Sequence, residues 1–143
     1  MIKSCKDAGL ENYVTVQLVK AEQTFFNNLT CGRYKKIPSV CPDLIYIDGP
    51  MPMSYKNSKK QYLNMNHSDI TNITCDLLII EPMLLPGTIV IIDGMTNNAR
   101  FHRRNLQRNW LSHEDLNNDL TIMILDEPTL GVHHKNKLIF QNK

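Results

Sequence analysis

Asp43-Leu44-Ile45-Tyr46-Ile47-Asp48-Gly49 and Thr88-Ile89-Val90-Ile91-Ile92-Asp93-Gly94 are two apolar runs, and each stops on Asp-Gly. Each is too short for a helix and rich in β-branched residues, which predicts a strand buried on both faces, as in a parallel sheet. Between them, Ser68, Asp69 or Thr71 can cap a helix running to about Leu84, with Ile70, Ile73, Leu77, Leu78 and Ile80 on one stripe and Glu81 as its polar flank. Leu85-Pro86-Gly87 then stops it. Strand, helix and strand would make a parallel βαβ unit, with Asp48 and Asp93 at the strands' C-terminal ends. In open α/β sheets that edge is where ligands bind.

Outward from this unit, Ile2 to Ala8 reads as the last turns of a helix ended by Gly9, and Tyr13 to Val19 as a strand. The chain is therefore expected to begin partway through a fold. Between Thr24 and Tyr34, Asn27-Asn28 predicts a hairpin turn, because Asn tolerates positive φ; a short helix is the alternative. The polar stretch Ser54 to Ser68 reads as a loop over the strand ends. Past Asp93, a helix is expected from Asn97 or Asn98 to about Trp110, with Trp110 packing it onto the sheet. Ser112 to Asp119 is read as a polar stretch, followed by two closing strands at Thr121 to Leu125 and Leu138 to Phe140.

The 143 residues suit one domain, and the net charge of +2 is too small and too scattered to suggest nucleic-acid binding. Cys5, Cys31, Cys41 and Cys75 show no metal-ligand or disulfide spacing, and read as reduced, mostly buried thiols. No apolar stretch is long enough to span a bilayer and no leader pattern stands at the start. The expectation is a soluble, cytoplasmic protein without a membrane partner.

Adjacent strands lie about 4.8 Å apart, so Asp48 and Asp93 could share a divalent cation, a sugar hydroxyl or an amine. Close carboxylates repel, which makes one of them a candidate general base. The competing reading is that an Asp before Gly merely closes its own turn. His67, between loop and helix, is a further candidate base, although most loop histidines have no such task. Asn97, Arg100 and Arg103 open the helix after Asp93 and are candidates for binding an anionic substrate group, against a solvated helix face as the alternative. Tyr46 reads as core, and His133-His134 as surface. The sequence has no Gly-x-Gly, P-loop or Gly-x-Ser-x-Gly pattern.

The succession Pro-Asp-Leu-Ile-Tyr-Ile-Asp-Gly, a loop, a helix ending Glu81-Pro82-Met83-Leu84-Leu85-Pro86-Gly87, then Thr-Ile-Val-Ile-Ile-Asp resembles the C-terminal half of class I S-adenosylmethionine-dependent methyltransferases. The likeness covers about Tyr13 onward and is nearest the small-molecule and sugar O-methyltransferases. It implies an α/β fold: an incomplete Rossmann-like sheet of parallel strands closed by a C-terminal antiparallel pair. It also implies S-adenosylmethionine as cofactor, a small-molecule acceptor, and Asp48 and Asp93 as the family's strand-end acids, in some members around magnesium. Metal-using relatives carry a further ligand directly after the second acid, where this chain has Gly94. The family's glycine-rich first strand and its second strand would precede Tyr13, so residues 1–143 are expected to form one truncated domain. The missing strands leave three outcomes for Tyr13 to Val19 and the Asp48 strand: direct pairing, a gap filled by another chain, or an exposed edge prone to self-association. Direct pairing is the expectation. A non-catalytic binding or partner domain, or an inactive truncated product, is the competing reading of function.

Overall fold

The computed structural model describes residues 2–49 and 73–128. Among these residues two sheets form, of two and four strands, with three short α-helices. Helix α1 (Ile2–Asp7) ends at Gly9, whose φ of +67° suits a residue without Cβ. Strands β1 (Ala21–Phe26) and β2 (Leu29–Tyr34) make an antiparallel hairpin, and Glu22 lies opposite Arg33, its ion-pair partner. Asn27 and Asn28 turn it with φ of 47° and 64°, the positive pair that matches the twist of two-residue hairpins.

The larger sheet has the order β3-β4-β6-β5. Strand β3 (Leu44–Asp48) pairs parallel with β4 (Ile89–Asp93); β6 (Leu120–Leu125) runs antiparallel between β4 and β5 (Trp110–Asp115). Helices α2 (Asp76–Ile80) and α3 (Thr96–Asn105) supply the cover on one face. The core there joins Leu77, Leu84, Val90, Ile92, Ala99, Met123 and Leu125. At Glu81–Met83 a 3-10 turn extends α2, with Pro82 in its first turn, where the missing N–H is tolerated.

This architecture corrects the expected fold class. Among the described strands only the β3–β4 pair is parallel; the other strand pairings are antiparallel, the hairpin forms a sheet of its own, and the arrangement is not a Rossmann-like parallel α/β sheet. The physical reason lies in the pairing: β6 returns antiparallel against β4 and so occupies the side that a further parallel strand would need. Tyr13 to Val19 forms no strand, and among the described residues β3 has no neighbour on its outer side, so direct pairing did not occur. Nor is β3 buried on both faces: Leu44 and Tyr46 are 55% and 54% exposed, which removes Tyr46 from the core. The helix after Asp93 stops at Asn105, and Trp110 instead starts β5, a strand placed where a polar stretch was expected. The strand expected at Leu138 to Phe140 and the loop Ser54 to Ser68 lie outside the described residues.

Candidate functional site

Registered partners in a sheet point to the same face, and Asp48 is registered with Asp93. The two carboxylates thus end β3 and β4 side by side, as the sequence pattern required. Each is followed by a glycine at positive φ, 102° at Gly49 and 62° at Gly94, a conformation that suits a residue without Cβ and ends the strand. Tyr46, two residues before Asp48 and on its face, donates its hydroxyl to Asp93 Oδ2. That bond to a carboxylate holds the Tyr46 phenol above its usual range, with burial and the charges of Asp93 and Asp48 adding to the effect. The hydroxyl is therefore protonated and donating at neutral pH.

Asp48 also lines a cleft of about 250 Å³ with Tyr34, Ile45, Ile47, Thr74, Asp76, Leu77 and Ile80. The hairpin reaches this cleft because Gly32 bridges to Thr74 in parallel fashion, which carries Tyr34 to the start of α2. There the Tyr34 N–H donates to Asp76 Oδ1 at 2.9 Å. Burial pushes the Asp76 carboxyl above its ordinary value, and this outweighs the backbone bonds from Tyr34 and from Asp76 itself that favour the charged form. The cleft is consequently apolar on its floor and carboxylate-lined at its rim.

The other expected site residues disperse. Asn97 and Arg100 are exposed on α3 and do not line this cleft, and Arg103 is engaged by Glu114 of β5. His67 lies outside the described residues. Asp119 instead serves the end of β4: its backbone oxygen accepts the Gly94 N–H at 2.7 Å, and its Oδ1 accepts the Thr96 hydroxyl at 2.9 Å. Among the described residues no group of three or more His, Cys, Asp or Glu could hold a metal ion. Mg²⁺ usually keeps several waters and takes only one or two carboxylates, so Asp48 and Asp93 meet that need in number, with Tyr46 already on one oxygen of Asp93.

Sequence reasoning missed Asp76, Tyr34 and Tyr46. Asp76 looks like any polar helix position until the hairpin is docked beside it, and only the register of β3 and β4 brings the Tyr46 hydroxyl to Asp93. Glu81, which reads as the polar flank of a helix, is 3% exposed. Its carboxylate accepts the N–H groups of Gln107 and Arg108 and the Trp110 indole N–H, tying the end of α2 to the start of β5. That role is structural. No helix among the described residues is long and apolar enough to cross a membrane. No protein-family model, curated protein or solved structure matches the chain.

Proposed function

We propose that the chain is the acceptor-binding portion of an S-adenosylmethionine-dependent methyltransferase, transferring a methyl group to oxygen on a small or sugar-like acceptor. The observation that carries this reading is the in-register Asp48–Asp93 pair at the strand ends, beside the cleft under Asp48. Asp48 stands where it can accept a hydroxyl proton from an acceptor seated in the cleft. Asp93, held by Tyr46 at Oδ2, would offer its other oxygen to a second hydroxyl or a Mg²⁺ ion. The apolar floor of Ile45, Ile47, Leu77 and Ile80 would seat the acceptor's carbon skeleton and exclude water, so that alignment supplies much of the rate. S-adenosylmethionine, when bound, supplies an electrophilic methyl group.

The test is incubation with methyl-labelled S-adenosylmethionine and a panel of small polyhydroxylated acceptors, with and without Mg²⁺. Acceptor-dependent heat in calorimetry with the unsubstituted chain, weakened in Asp48→Asn, is the expected outcome, with label entering the acceptor once a glycine-rich S-adenosylmethionine-binding segment is joined upstream. Absence of label together with absence of any acceptor-dependent heat in calorimetry would overturn the reading.

A second reading, a non-catalytic partner domain, is favoured by β3, which has no neighbour on its outer side among the described residues, and by the exposure of Leu44 and Tyr46 upon it. A second copy adding a strand at this edge would cover both. Mass growing with concentration in sedimentation, without acceptor binding, would select this reading.

A further inference from the structure

Cys31 on β2 and Cys75 directly before α2 are 1% and 3% exposed. They flank the parallel bridge between Gly32 and Thr74. The Gly32 N–H donates to Ile73 O at 2.7 Å and the Cys75 N–H donates to Gly32 O at 3.0 Å, so the residue after Cys31 is clamped on both sides of Thr74. Both thiols enter one apolar cluster with Leu78 and Phe101. The Cys75 thiol also meets Gly32 O at 3.6 Å. Both are free thiols, as are Cys5 and the exposed Cys41.

We propose that Cys31 and Cys75 are a dithiol–disulfide pair whose oxidation ties the β1–β2 hairpin covalently to the start of α2. The oxidant is a small-molecule disulfide such as glutathione disulfide. One cysteine, as thiolate, attacks a glutathione sulfur and expels one glutathione; the other cysteine then attacks the mixed disulfide and expels the second. Two protein S–H bonds become one S–S bond. Two electrons reduce the oxidant to two glutathione thiols, which also take up the two protons. Burial pushes the Cys31 thiol up to about 12 and raises that of Cys75, so thiolate is scarce while the hairpin is docked. Oxidation is accordingly slow and proceeds through opening of the hairpin, while exposed Cys41 reacts first. Once closed, the bond fixes the strand that delivers Tyr34 to the cleft. It leaves the carboxylate pair untouched.

The experiment uses the full chain with Cys5→Ser and Cys41→Ser, neither of which belongs to this cluster. The protein is held in glutathione disulfide, blocked with iodoacetamide and mapped without reduction. The expected product is a peptide pair joined through Cys31 and Cys75, two hydrogens lighter than the dithiol and reversed by dithiothreitol. The thermal midpoint should rise by about 10 °C, because the cross-link restricts the unfolded chain. Stable glutathione adducts at either cysteine without the cross-link, or both thiols intact after prolonged exposure, would overturn the proposal. Mapping the unsubstituted chain in the same way gives the same readout independently of how the variants fold.

Discussion

On the helix-covered face of the four-stranded sheet, Val90, Ile92 and Met123 are each 0% exposed. On the opposite face, register sets Leu44, Ile89, Ile124 and Leu111 in one row across all four strands, and three of these, Leu44, Ile124 and Leu111, are 55%, 39% and 56% exposed. The same strands therefore carry apolar residues on both sides, but the described helices cover only one. An apolar run signals that both faces seek cover, while the helices available decide which face obtains it. The Asp48–Asp93 pair lies at the end of the exposed face, where Tyr46 also stands, whereas Ile45 and Ile47 in the cleft beside it belong to the helix-covered side.

The widest separation between the faces should appear on truncation of core side chains. Ile92→Ala is expected to destabilise the fold by about 3 kcal/mol in urea unfolding, through lost burial and the cavity left behind. Leu44→Ala on the open face is expected to cost less than about 1 kcal/mol. Similar losses at both positions would mean that the open face is covered in solution.

A nearly equal effect is expected from pH through the covered side. His102 is fully buried on α3, and neither ring nitrogen has a hydrogen-bond partner among the described residues. Burial alone pushes its imidazole down to about 4 from an ordinary 6.5. The unfolded chain thus takes up a proton that the folded chain refuses. This contribution to stability is fully present above pH 6.5 and is lost as pH falls from 6.5 toward 4, by about 3 kcal/mol in total. His102→Leu should flatten that part of the stability profile.

Smaller effects belong to the open face. Asp93→Asn removes the carboxylate that accepts the Tyr46 hydroxyl, so the phenol should titrate nearer its ordinary range in ultraviolet absorbance, with Tyr46→Phe identifying the signal. The smallest change in stability is expected for Leu111→Lys, within about 0.5 kcal/mol. It should nevertheless reduce any concentration-dependent association seen by sedimentation, since it places a charge in the exposed apolar row.

What could be read from the sequence was local. Asn27-Asn28 announced the hairpin because few residues accept two successive positive φ values, and Gly9 announced the end of α1 for the same reason. The two Asp-Gly stops located the ends of β3 and β4, and their parallel pairing followed. The rest depended on contacts far apart in sequence. Tyr13 to Val19 has the composition of a strand but finds no partner, and a strand exists only when paired. Trp110–Asp115 has weak apolar alternation because it is an edge strand, and its place is set by pairing with β6 and by the bond from Trp110 to Glu81. The cleft required the Gly32–Thr74 bridge, which no periodicity encodes.

The most direct measurement is an amide-resolved NMR titration of the chain with small polyhydroxylated acceptors, repeated on Asp48→Asn. The account predicts saturable shifts at Tyr46 to Gly49, Asp76 and Asp93-Gly94, weakened at least tenfold in affinity by the substitution, as for loss of a charged hydrogen-bond acceptor worth about 1.5–3 kcal/mol. Shifts that are absent, or equal in the two proteins, would contradict a binding role for the carboxylate pair.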